Sequence, residues 1–275
     1  MPPADTPVVF VHGLWLHADS WSPWVDLFRE AGYVPQAPGW PGDAETAEET
    51  RARPVAVAGF GVGDVVGHYA NIISGLDRKP VVVGHSFGGL IAQRLLADGF
   101  ASAAVGLDAA PIKGVYFLPP SALRVASIAL RNPLNRNRAV SLTRDQFRYG
   151  FGNTLSMAES GELYDRWAIP SPGKPLFEAA IANLMPGSPV KVETSNSERG
   201  PLLLTAGGKD HTVPASITHQ TLRLYRNSPA VTELKEFPDR GHSLGIDSGW
   251  REVADAVLEW LERQSPALEG EAAGA

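Results

Sequence analysis

Short apolar runs alternate with amphipathic stretches along most of the chain, at spacings that suit strands followed by helices. Runs such as Val8-Val9-Phe10-Val11 and Pro80-Val81-Val82-Val83 have no polar face, as expected for strands covered on both sides of a parallel sheet. The pattern predicts strands at residues 8–11, 33–36, 80–83, 104–107, 202–205 and 232–237. Helices fit between them. Ser20, Ser22 and Pro23 supply caps and an N-terminal proline for a helix that stops at Gly32. A second helix is predicted over residues 62–76, and a third follows Ser86 and stops at Gly99. Near the end of the chain Trp250, Val253, Val257, Trp260 and Leu261 recur at helical spacing and should face the sheet. Residues 265–275 lose that period and read as a frayed tail. The sum is an α/β fold with a mostly parallel central sheet of about six strands flanked by helices.

The alternation breaks between residues 111 and 199. Helix starts are predicted there at Ser121, Thr143, Ser156 (with Glu159 three positions on, as a capping box) and Pro175. Prolines 119, 120, 133, 170, 172 and 186 punctuate the stretch. It reads as a helical cap, or lid, inserted between strands of a core formed by residues 1–110 and 200–275.

Composition narrows the class. The chain has 275 residues, 44% of them hydrophobic, enough for one large core or a core plus a small insertion. A net charge of -6 provides no electrostatic footprint for nucleic acid or an anionic membrane. Without cysteine there is no disulfide, thiolate chemistry or cysteine-based metal site. The first strand begins almost at once, with no basic leader or long apolar segment before it, so a cytoplasmic location is expected. No internal repeat is visible.

The chemistry concentrates in Gly84-His85-Ser86-Phe87-Gly88, which lies between a buried-type strand and a capped helix. Strand, tight turn and helix with a serine at the tip is the context in which a G-x-S-x-G string carries a nucleophile. The plain alternative is a glycine-rich turn with an incidental serine. A serine hydroxyl needs a positioned base, and that base needs an acid to fix its tautomer. His242, directly after the last predicted strand, is the candidate base among seven histidines. Asp210, after the strand at 202–205, is the candidate acid; Asp108, after the strand at 104–107, is the alternative. The histidines are otherwise scattered without metal-ligand spacing, so neither a metal nor another cofactor is expected, and the rate should not respond to a chelator.

Across essentially its whole length the chain resembles the α/β-hydrolase family. The resemblance rests on Val8-Val9-Phe10-Val11-His12-Gly13, the Ser86 elbow, the aspartate loop ending in Val213-Pro214, and Gly241-His242. It implies an oxyanion hole made by the amides of Leu14 and Phe87. Only seven residues precede the first parallel strand's Val8, so the two leading antiparallel strands of larger members are not expected. The stretch from His12 to Trp21 is similar to a branch holding small methyl esterases and hydroxynitrile lyases. In the lyases a threonine stands where this chain has Gly13, and a lysine where it has Ser243, which argues against cyanohydrin cleavage. Serine at the elbow, where dehalogenases and epoxide hydrolases place aspartate, removes those reactions too.

The resemblance therefore implies a serine hydrolase that cleaves a carboxylic ester or lactone through an acyl-enzyme. Carbon–carbon bond hydrolysis or perhydrolysis with the same triad, and a binding or receptor role on the same scaffold, are the alternatives. The partner is a small-molecule substrate, with no nucleic acid or membrane, acting on a monomer or homodimer. Trp15, Trp40 and Phe87 read either as walls of a pocket for an apolar or aromatic group or as packing for the core or the lid. The cap's Arg124, Arg131, Arg136, Arg138, Arg144 and Arg148 have only Asp145 among them. They read either as an anion-steering surface or as a solvated helical face opposite acidic neighbours.

Overall fold

The computed structural model describes residues 5–272. Its strands are β1 (Pro7–Val11), β2 (Val34–Gln36), β3 (Val81–His85), β4 (Ala103–Leu107), β5 (Ala139–Val140), β6 (Ser171–Pro172), β7 (Leu202–Gly207) and β8 (Thr232–Phe237). Six of them form one sheet in the order β2-β1-β3-β4-β7-β8, and β5 pairs with β6 apart from it. Every pairing in the large sheet is parallel. All six strand C-termini therefore lie along one edge, where an open α/β sheet places its functional loops.

The predicted strands are all present, within one or two residues at each end. Their apolar character has a two-sided cause. Val9, Val11 and Val82 pack on one face with Val62, Val65, Leu90 and Ile91, from helices α3 (Val62–Ser74) and α4 (Phe87–Ala97). Val8, Phe10 and Val83 alternate onto the other face, against Trp24 and Phe28 of α1 (Ser22–Glu30) and Val257 and Trp260 of α10 (Trp250–Ala272). Each such large side chain contributes about 1.5–3 kcal/mol when fully buried.

Local signals set the helix ends. Pro23 starts α1, and Gly32 terminates it at φ +88°, a conformation a side chain would strain. Between β1 and α3 the chain also forms α2 (Ala47–Ala52), too short to show a period. At the C-terminus, α10 continues to Ala272, so the predicted tail is helical over most of its length. Residues 273–275 of that tail lie outside the described residues, as do residues 1–4.

Between β4 and β7 lie α5 (Pro120–Leu130), α6 (Arg144–Gly150), α7 (Met157–Trp167), α8 (Lys174–Ala180) and the antiparallel pair β5–β6, which brackets α6 and α7; beyond β7 follows α9 (Ala215–Leu224). Thr143 caps α6 as expected, with Gln146 reciprocating. Two details differ from the sequence reading. Helix α5 starts at Pro120 behind Pro119, because proline suits the first helical position, and Ser121 is already inside it. The Ser156 hydroxyl caps α7, but the Glu159 carboxylate does not close the box. Its Oε1 accepts instead from Ser248 N at 2.8 Å, in the loop before α10.

Candidate active site

Each residue with candidate chemistry follows a strand of the large sheet: Gly13 after β1, Ser86 after β3, Asp108 after β4, Asp210 after β7 and His242 after β8. Parallel pairing brings these loops to one edge. Three of the four non-glycine residues with positive φ among the described residues are here: Trp15 at +66°, Ser86 at +56° and Asp108 at +43°. Such backbones cost on the order of 1–3 kcal/mol each and persist where surrounding structure over-determines them.

Hydrogen bonds on both sides of Ser86 hold its turn. Ser86 N donates to Leu107 O at 2.9 Å, and Ser86 O accepts from Gly89 N and Ala110 N, each at 2.9 Å. Glycine is required on both sides: a Cβ at Gly84 would strike Gly88 O, and one at Gly88 would strike Val11 O. The loop after β1 runs directly alongside, so close that a Cβ at Gly13 would lie 2.8 Å from the Cβ of Ser86. Among the described residues neither Leu14 N nor Phe87 N donates to another protein group. Phe87 is the first residue of α4, where an amide has no acceptor within the helix.

Asp210 and His242 meet directly. His242 Nδ1 donates to Asp210 Oδ2 at 2.6 Å, with both side chains fully buried. Asp210 Oδ1 accepts from Thr212 N at 2.6 Å and Val213 N at 2.9 Å. Burial alone would push the Asp210 carboxyl up, but the His242 imidazole and these hydrogen bonds hold it below the usual carboxylate range. His242 Nε2 is buried and has no partner among the described residues. A histidine fixed at Nδ1 and free at Nε2 is in the tautomer a general base needs.

His85 joins the serine turn to the histidine loop. Its Nε2 donates to His242 O at 2.8 Å, and the two rings lie 4.5 Å apart. Burial, reinforced by His242, pulls the His85 pKa down to about 3, so its ring is neutral. Below His242, Ser243 Oγ donates to Asp247 Oδ2 at 2.8 Å, and Asp247 also pairs with Arg240. This arrangement holds the loop from inside.

The two tryptophans are buried framework contacts. Trp40 Nε1 donates to His12 O at 3.0 Å, bracing the loop after β1. Trp15 Nε1 donates to Val140 O at 3.0 Å, and Trp15 N to Ser171 Oγ at 2.6 Å, both in the insertion. Of the arginines, Arg144 pairs with Asp165 of α7, and Arg124 covers the Tyr149 ring at 3.9 Å. These contacts fit the solvated-face reading.

Asp108, Asp210 and His242 form the one cluster among the described residues with three potential metal ligands, all within 4.8 Å. A cation there would compete with the short Asp210–His242 hydrogen bond, so the donor set does not suit a resident metal. Sequence reasoning identified Asp108 only as a substitute acid and gave His85 and Ser171 no role in the site. Of these only Asp108 had a signal, its place after a strand.

The sequence profile of the alpha/beta hydrolase family matches residues 8–256. The chain belongs to the alpha/beta hydrolase family. Similar solved structures span nearly all of it. A methylesterase from Arabidopsis is 17% identical with a TM-score of 0.64, covering 94% of this chain and 99% of its own. A monoacylglycerol lipase from Paleococcus ferrophilus is 21% identical with a TM-score of 0.67, over 95% and 97%. A polyneuridine aldehyde esterase is 19% identical with a TM-score of 0.63, over 93% and 98%. At these identities the likeness is one of fold. No curated protein matches the sequence. Among the described residues the large sheet of the hydrolase has six strands, the number expected from the sequence.

Proposed function

We propose that this alpha/beta hydrolase cleaves a carboxylic ester, or a related acyl bond such as a lactone, through an acyl-enzyme on Ser86. The supporting observation is the buried Asp210–His242 pair with Nε2 free, on the same sheet edge as a serine held at φ +56°. In this reading His242 Nε2 takes the Ser86 proton as Oγ attacks the carbonyl carbon. The leaving alcohol takes that proton from His242, and water then releases the acid by the same steps in reverse roles. Asp210 fixes the tautomer and stabilises the imidazolium. The amides of Leu14 and Phe87 receive the oxyanion, each worth about 3 kcal/mol in the transition state.

In this reading the insertion between β4 and β7 is the cap; its support is that the Phe151 ring of the insertion lies 4.8 Å from that of His242, in a site where Ser86 is only 4% exposed. The substrate is a small molecule, and the ring faces of Trp15 and Trp40 are proposed as walls of its pocket. The named neighbours support the class of reaction, since a methylesterase, a lipase and an esterase share the fold.

The test is labelling with a fluorophosphonate probe, followed by turnover of p-nitrophenyl esters and lactones of varied acyl size. Labelling at Ser86 with release of nitrophenol supports the proposal. Absence of labelling in folded protein removes it, and labelling without any ester or lactone turnover directs attention to carbon–carbon cleavage or perhydrolysis.

A further inference from the structure

Asp108 is the most deeply placed acid at the site, with 0% exposure. Its backbone sits at φ +43°, and it is pinned by two groups from β7. Oδ1 accepts from Gly207 N at 2.9 Å and Thr205 Oγ1 at 3.3 Å, and the same hydroxyl accepts from Asp108 N at 3.2 Å. Oδ2 is buried and receives no donor. The carboxylate lies against the Asp210–His242 pair, since one ligand atom from each of Asp108, Asp210 and His242 lies within 4.8 Å of the others.

Two carboxylates that close, both out of water, do not ionise together, because like charges there repel with little screening. The donors decide which one keeps the charge. Asp210 receives three hydrogen bonds at 2.6–2.9 Å, one of them from His242. Asp108 receives two, the shorter at 2.9 Å, both on one oxygen. The charge belongs on Asp210, and the proton belongs on the orphaned Oδ2 of Asp108.

We propose that Asp108 is a neutral carboxylic acid that donates a hydrogen bond from Oδ2 to Asp210, a positioning residue for the triad's acid–base pair. The proposal rests on Asp210 as the triad acid. Burial first, and then the Asp210 charge, drive the Asp108 carboxyl well above its ordinary range, in agreement with this geometry. The effect on the reaction follows from the sign. A donor on Asp210 weakens its pull on the Nδ1 proton, and a neutral Asp108 spares His242 a second negative neighbour. Both keep the imidazole from being held protonated, so Nε2 stays available as a base.

The experiment is an imidazole 15N titration of His242 in the full-length protein, comparing wild type with Asp108→Asn and Asp108→Ala. Asparagine keeps the acceptor for Gly207 and Thr205 and offers an N–H to Asp210. Its His242 midpoint should therefore stay within about 0.3 pH units of wild type. Alanine removes the donor, and its midpoint should rise. A fall of about one unit or more in Asp108→Asn is what loss of a nearby negative charge would cause, and it would overturn the proposal. An unmoved midpoint in Asp108→Ala would overturn it too. If the alanine variant does not fold, the isosteric asparagine still decides. The titration needs neither labelling nor turnover, so it stands apart from the test of ester hydrolysis.

Discussion

Gly13 and Ser86 touch backbone to side chain, with no space for a Cβ between them: one built at Gly13 would also sit 2.9 Å from His85 O. Contacts that close force a shift, and both sides are held by their own strands. Gly13→Ala should therefore move the Leu14 amide away from the serine. We expect kcat to fall about tenfold or more while the fold survives. Steady-state kinetics beside a thermal melt measure both, and an alanine variant with unchanged kcat would show that the loop after β1 takes no part in the reaction.

Members of the proposed triad should act as one unit. Ser86→Ala should abolish probe labelling and lower kcat by ~10⁴-fold or more. His242→Ala should cost about as much, and Asp210→Asn somewhat less. Adding Asp210→Asn to Ser86→Ala should cost nothing more, which a double-mutant cycle on kcat would read out. If Asp210→Asn alone is harmless, the acid is Asp108.

His85 sets an acid limit on stability. Its pKa is held at about 3 in the fold, against the ordinary 6.5 of an unfolded histidine. Below about pH 6.5 the unfolded chain binds a proton that the native state refuses. The contribution is complete above that value and is lost progressively as pH falls toward 3, on the order of 5 kcal/mol in all. Asp210, held low in the fold, weakens stability further in the same direction at the acid end. Urea midpoints measured between pH 8 and pH 4 should decline, and His85→Gln should flatten the decline.

Ser171 is the acceptor for the amide of a residue at φ +66°. Ser171→Ala should leave Trp15 N unpaired in a buried setting, at a cost of about 1–3 kcal/mol in stability. Trp15 follows Leu14, the proposed oxyanion donor, so the loss should appear in kcat more than in KM. A rise in KM alone would mean that Ser171 belongs to the substrate pocket.

The four central strands were legible because they are apolar on both faces and buried along their whole length. Val8 to Val11 or Val81 to Val83 could not stay exposed. Ser86, Asp210 and His242 were legible because parallel pairing carries every strand's following loop to one edge, so sequence position alone predicts company. The β5–β6 pairing was not, since two residues per strand carry no period and two helices separate the strands. Nor was the strain at Trp15 and Asp108, which depends on partners far along the chain: Trp15 and Ser171 are separated by 156 positions. Glu159 shows the same limit, because a nearby cap and a distant Ser248 amide compete for one carboxylate and the distant one wins.

The core and the insertion proposed as its cap are sewn together at separate places. Ile169 N donates to Trp15 O, Arg51 Nε to Ala168 O, and Val62 N to Glu178 Oε2. Phe147, Leu163 and Trp167 of the cap share one apolar cluster with Val62, Leu90 and Ile91 of the core. A cap built this way has little cohesion to call its own, and melting it would expose the apolar cluster it shares with the core helices. Heating should therefore produce one calorimetric endotherm, with calorimetric and van't Hoff enthalpies equal, rather than an early loss of the cap.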